Sequence, residues 1–213
     1  HVGDTLTTGG FSRFVDWSNS VISYEEILLR RFIEAPIVNP TAMWRRETME
    51  QFGLYHSGDF PEDYEMWLRW LDQGVKIAKV PVVVLDWHDS TDRLTRTHPI
   101  YSDKAFYEIK SVYLAKWLSA HNPFSPGVWI WGASRISRRR ARILEQQGVR
   151  VDAYIDTKRS RQLEQEVIFY EDLPVAGEGF ILTYIRQMDN REKIQTFLEE
   201  RGYLEGRDYL LVS

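Results

Sequence analysis

The chain has 213 residues and no cysteine, which excludes disulfides and thiolate-metal sites. No apolar run approaches the roughly 20 residues that a bilayer-spanning helix needs. No secretory leader pattern is visible. Charge of one sign is also lacking: 27 Lys and Arg stand against 31 Asp and Glu, for a net charge of -4. That balance gives no reason to expect nucleic acid or an anionic membrane as the main partner. There is no internal repeat and no low-complexity tract. A cytoplasmic location fits these absences. What is present is core-building material, 43% hydrophobic and 14% aromatic, enough for one large domain or two modest ones. The chain opens on His1 rather than Met, and we expect a fragment or a trimmed form.

Residues 1–20 lack periodicity and read as loop, with Gly3, Gly9 and Gly10 among several Thr and Ser. A helix is expected over 17–32, stopped by Pro36 and Pro40. A short strand is expected at Thr41 to Trp44, and a helical stretch at Glu47 to Phe52 ended by Gly53. The clearest helix follows. Tyr64, Trp67, Leu68 and Leu71 fall at i, i+3, i+4 and i+7, and Gly74 stops the run. Lys76 to Leu85 reads as a strand segment broken by Pro81, and Tyr101 to Ala120 as a long helix. His121 to Gly127 is the best linker. Beyond it, strands at 128–131, 149–156, 180–185 and 209–212 alternate with helices at 137–147 and 191–201, which implies a parallel sheet. Two domains are expected, 1–122 and 127–213.

The chemistry-bearing stretch is Asp59-Phe60-Pro61-Glu62-Asp63 at the mouth of that clearest helix, just after the Gly53 to Gly58 loop. Asp59 and Glu62 have capping-box spacing and complement the helix dipole. A carboxylate at a helix start beside a loop can also serve as a general base. The two roles are compatible, with Asp59 and Glu62 capping while Asp63 points elsewhere. Of the eight Trp residues, Trp87 alone is nominated for stacking on a sugar ring; Trp67 belongs to a buried helix face.

Ala35-Pro36-Ile37-Val38-Asn39-Pro40-Thr41-Ala42-Met43-Trp44-Arg45-Arg46 resembles a segment of bacterial family-two inverting glycosyltransferases. Phe52 to Tyr55 and Pro61 to Arg69 resemble that family's "GGY … EDYDLWLR" block. Pro81 to Trp87 is similar to its "P-x-V-L-L-x-W" strand, and Arg93 to Ser102 to "RLSRTDPRYS". The blocks occur in order, which makes the match specific. The resemblance implies a GT-A fold and transfer of a sugar from a nucleotide-sugar donor to a hydroxyl acceptor. Asp63 would be the base. Glu62 would contact the acceptor or orient the loop. Trp87, His88, Arg93 and Arg96 would lie near the donor diphosphate, where an Arg gives bidentate, charge-assisted hydrogen bonds. His88 stands where relatives often have Arg, and His98 where they often have Asp.

The resemblance also implies Mg²⁺ or Mn²⁺ held by an Asp-x-Asp motif on a nucleotide-binding half, and this chain contains no Asp-x-Asp. The expected fold class is therefore α/β: the acceptor-side, C-terminal portion of a GT-A domain followed by a small Rossmann-like domain. In the second domain, Trp131-Gly132-Ala133-Ser134-Arg135-Ile136-Ser137 lies where a phosphate loop would, with Asp156 about where a ribose-binding acid sits. Only one of three glycines is present. Arg138, Arg139, Arg140 and Arg142 would neutralise an anion or form a solvated helix face. Two rival readings stand beside transfer. One is a nucleotide- or sugar-nucleotide-binding regulatory module in the second domain. The other is a docking platform for homo-oligomers or biosynthetic partners. The expected location is cytoplasmic or peripheral at the inner membrane.

Overall fold

The computed structural model describes residues 9–87, 93–159 and 165–213. It divides into two compact units, His1–Lys110 and Ser111–Ser213, and the division falls within a long helix.

The first unit is helical among the described residues. Helices α1 (Gly9–Ser20) and α2 (Tyr24–Arg30) replace the loop expected at the start and the single helix expected over 17–32. The break has a local cause. Ser23 caps α2 by accepting from the Glu26 amide, and Glu26 reaches back to the Ser23 N–H at 2.8 Å, a complete capping box that starts a new helix. The expected strand at Thr41 to Trp44 is absent; a 3-10 turn at Asn39–Thr41 stands there instead, with Pro40 fixing its first turn. Helix α3 spans Arg46–Phe52 and α4 spans Glu62–Asp72. A single turn, α5 (Leu94–Thr97), and a 3-10 turn at Pro99–Tyr101 lead to α6 (Asp103–His121).

Helix α4 is the centre of this unit. Its expected amphipathic face is present, but all eight residues from Tyr64 to Leu71 are buried. Trp67 and Trp70 meet edge to face at 5.6 Å, and Trp44 closes the cluster at 6.0 and 5.7 Å from them. Val21, Ile27, Ile37, Met66 and Leu71 complete the core. Two polar side chains, Glu65 and Arg69, are buried one turn apart and pair at 3.1 Å. Opposite charges at this spacing let a helix be covered on every side without a lone charge inside.

Lys76 to Leu85 forms no named strand among the described residues. Pro81 lacks an N–H and sits in a bend, and Val80, Val82, Val83 and Val84 are 61–73% exposed.

The second unit is α/β. Strands β1 (Gly127–Trp131), β2 (Arg150–Asp156), β3 (Glu166–Phe169), β4 (Ile181–Thr183) and β5 (Tyr209–Leu211) form one all-parallel sheet in the order β3-β2-β1-β4-β5, a Rossmann-like arrangement. The edge strand β3 was not anticipated from its sequence. Helix α7 (Arg135–Glu145) joins β1 to β2, and α8 (Met188–Glu200) joins β4 to β5. β1 and β4 are nearly all buried, as parallel strands covered on both faces must be. Strands β2 and β3 are added on one side of β1 and β4 and β5 on the other, so the order of connection switches between β1 and β4, and the carboxyl ends of these two parallel strands mark the crevice where such sheets place ligands.

Candidate functional site

Helix α4 begins without a side-chain cap. Pro61 occupies the cap position, and neither Asp59 nor Glu62 supplies the expected capping bond. Three carboxylates, Glu62, Asp63 and Glu65, crowd the first turn, where the helix dipole favours negative charge. Each has a different fate. Glu65 turns inward to Arg69. Glu62 is held by Tyr101, whose phenol donates to both carboxylate oxygens at 3.1 and 3.0 Å. Asp63 stays partly buried, and its Oδ1 accepts from the Tyr64 amide at 2.7 Å.

Burial pushes the Asp63 carboxyl above the usual aspartate range, and the charge of Glu62 adds to the rise; hydrogen bonds from the Tyr64 and Asp63 amides oppose it. The result is a stronger base than a solvated aspartate. Its helix is rigidly placed: Tyr64 is fully buried, its ring packs on Phe106 at 5.5 Å, and its hydroxyl donates to the Arg31 carbonyl at 2.6 Å.

The loop preceding α4 is fastened to that helix through three successive carbonyls. Arg69 donates through its two terminal nitrogens to Phe52 O and Leu54 O, and Trp70 Nε1 donates to Gly53 O at 2.9 Å. The convergence of three carbonyls requires the backbone Gly53 adopts, φ +72° and ψ 163°, which disfavours a residue with a side chain. Beyond this turn, Tyr55 donates to Asn39 Oδ1 at 3.0 Å, and His56 Nδ1 lies 3.5 Å from Glu65. The exposed rim so formed carries hydroxyl, amide and imidazole groups near the mouth of α4 in sequence, the kinds of group that hydrogen-bond sugar hydroxyls.

Two of the other residues singled out in the sequence meet at Phe11. Trp87 packs edge to face on Phe11 of α1 at 4.9 Å. The Arg93 guanidinium covers both rings, 4.3 Å from the Phe11 centroid and 5.4 Å from that of Trp87. Trp87 and Arg93 thus form one cluster. Arg96 is exposed on α5. His88 lies outside the described residues. Tyr101, Arg69 and His56 were not nominated as site residues. The Tyr101–Glu62 bond joins residues 39 apart in the chain, and no local pattern signals it.

Among the described residues no three His, Asp or Glu side chains gather as a metal site requires.

In the second unit, the turn after β1 is satisfied by its own chain. Ala133 N–H donates to Asp156 Oδ2 at 3.1 Å, and Asp156 Oδ1 accepts from Lys158 N–H at 3.0 Å. Ser134 caps α7 by accepting from Ser137 N–H at 3.2 Å, and Ser137 Oγ donates to Tyr184 O at 3.3 Å. Gly132 has φ +118°, and a Cβ there would lie 3.0 Å from Ser137 Oγ. Asp156 is thus spent on the turn that a phosphate would have to approach. The arginine run divides: Arg140 is buried and donates to Ser213 Oγ at 2.9 Å, while Arg135, Arg139 and Arg142 are exposed. Arg191 of α8 donates to Ser213 O at 2.8 Å.

No protein-family model, no curated protein and no solved structure matches this chain.

Proposed function

We propose that this chain is the acceptor-side portion of an inverting glycosyltransferase of GT-A type, with Asp63 as its general base. The observation that carries the reading is the placement of Asp63: partly buried at the first turn of a buried helix, its carboxyl raised by burial and by Glu62. The ordered sequence blocks around it, from Ala35 to Ser102, point the same way. So does Val80 to Val84, apolar on both sides of the chain and uncovered among the described residues. A β-prone segment of that composition, were it paired, would need sheet neighbours and two covering layers, as a nucleotide-binding half would supply.

In this mechanism Asp63 accepts the proton of an acceptor hydroxyl held by the rim of Tyr55, Asn39 and His56 and oriented by Glu62. The freed oxygen pair attacks the anomeric carbon of a nucleotide-sugar from the face opposite the diphosphate. One C–O bond forms as the bond to the diphosphate breaks, and the nucleoside diphosphate leaves with the electron pair, so the configuration inverts. A base with a raised pKa takes the proton more readily as the transition state develops. Trp87, His88, Arg93 and Arg96 are assigned to the donor side of the acceptor. The cation expected of such enzymes would neutralise the leaving diphosphate with ligands outside this chain.

The test is Asp63→Asn in the full-length protein, screened against UDP-, GDP- and dTDP-sugars by release of nucleoside diphosphate. Transfer should fall by about a thousandfold or more, the upper range for loss of a general base. Binding of the donor sugars by calorimetry should hardly change. Near-normal turnover in the variant would remove Asp63 from the role and the reading with it.

A further inference from the structure

Two carboxylates side by side at a helix start pose a question of selection, because either could take a proton from an acceptor. Glu62 and Asp63 differ in what holds them. Asp63 rests against backbone amides of its own turn. Glu62 is held across the unit by the phenol of Tyr101, which lies at almost equal distance from its two oxygens, 3.1 and 3.0 Å. Tyr101 closes the 3-10 turn at Pro99–Tyr101, and that turn is itself stapled by His98, whose Nδ1 accepts from the Ile100 amide at 3.4 Å. The phenol is therefore delivered from a defined backbone.

We propose that Tyr101 is a positioning residue of this site: by bonding both oxygens of Glu62 it fixes that carboxylate as an orienting group and leaves Asp63 alone to receive the acceptor's proton. This rests on the glycosyltransferase reading for its catalytic consequence, but the clamp itself is a property of the chain. A single hydroxyl hydrogen shared between two carboxylate oxygens holds the group in plane, so Glu62 presents its remaining lone pairs in a fixed direction. Glu62 on its own helix raises Asp63, and both carboxylates in turn raise the Tyr101 phenol of the facing turn. Burial and the bond to Glu62 hold the Tyr101 phenol well above the usual tyrosine range, as a donor to an ionised carboxylate must be.

The experiment has two arms. In the first, ¹³Cζ-tyrosine NMR follows the ionisation of Tyr101, its resonance assigned by its loss in Tyr101→Phe. Tyr101 should titrate above ordinary tyrosines, and Glu62→Gln should bring its midpoint down. An unchanged midpoint in Glu62→Gln overturns the clamp. In the second, nucleoside-diphosphate release from UDP-, GDP- and dTDP-sugars is measured for Tyr101→Phe, Glu62→Gln and the double variant of the full-length protein. Tyr101→Phe should slow release about tenfold, the scale of one hydrogen bond to a charged group, and should cost nothing further once Glu62 is Gln. Equal losses in both backgrounds would make Tyr101 a structural residue only and refute the proposal. The NMR arm needs no substrate, so the clamp can fail while Asp63→Asn remains inactive, and it can hold while the reading of Asp63 fails.

Discussion

Replacing Arg69 by Met probes the fastening of the loop to α4 most directly. Arg69 and Glu65 are both buried, paired at 3.1 Å, and the same guanidinium serves Phe52 O and Leu54 O. Removing one partner of a buried ion pair costs about 3–5 kcal/mol because the other charge is stranded. Two carbonyls also lose charged donors, at about 1–3 kcal/mol each where water cannot replace them. The turn is only partly buried, so water recovers much of the second contribution, and the expected total is about 4–6 kcal/mol. That is comparable to the whole stability of a modest domain, about 5–15 kcal/mol. The assay is urea unfolding followed by tryptophan fluorescence, since Trp44, Trp67 and Trp70 cluster beside the pair. Glu65→Gln in the Arg69→Met background should restore about 2 kcal/mol by removing the stranded carboxylate, a coupling typical of directly bonded partners. A cost below about 1 kcal/mol for Arg69→Met, or strict additivity in the cycle, would refute the argument that the pair carries the turn.

Other outcomes follow from the same geometry. Gly53→Ala should destabilise the first unit by about 1–3 kcal/mol through backbone strain; its Cβ would meet only an ordinary contact, Arg69 Nη1 at 3.6 Å, so the loss should appear as a lowered urea midpoint rather than a rearranged core. Asp63→Asn should stabilise the protein at neutral pH while removing transfer. A carboxyl raised in the folded state binds more protons than its unfolded counterpart, so the native charged form is penalised above the ordinary value of 3.8, and the gain from Asn should vanish in unfolding curves taken below it. Burial lowers the Lys79 ammonium to about 8 from 10.5 as it donates to Ser18 Oγ and Ser18 O. Between these values the unfolded chain holds more protons, so stability should rise with pH across that window, and Lys79→Met should flatten the rise.

The parts legible in the sequence are those specified by neighbours along the chain. Helix α4 announces itself through Tyr64, Trp67, Leu68 and Leu71, and the alternation beyond residue 127 yields the parallel sheet. Helix α1 was hidden because its anchors, Phe11 and Val15, are few and sit among Gly, Ser and Asp. Strand β3 was hidden because four residues at a sheet edge, three half-buried and Glu166 exposed, carry little pattern. The capping box at Asp59 and Glu62 has correct spacing, but Pro61 takes the cap and Tyr101 draws Glu62 away. Val80 to Val84 has the composition of a strand without a ladder among the described residues. Asp63 was legible as a candidate from its position at a helix mouth. The bond from Tyr101 to Glu62 was not legible, because it joins residues far apart in the chain.

Val80, Val82, Val83 and Val84 have a practical consequence for anyone handling this chain. They form a short, uncharged, β-prone segment presented to solvent, the composition that seeds edge-to-edge association and fibrous stacking. Pro81 is the one gatekeeper within it. Among the described residues, these few valines are therefore a site at which raised concentration would promote association of the chain with itself.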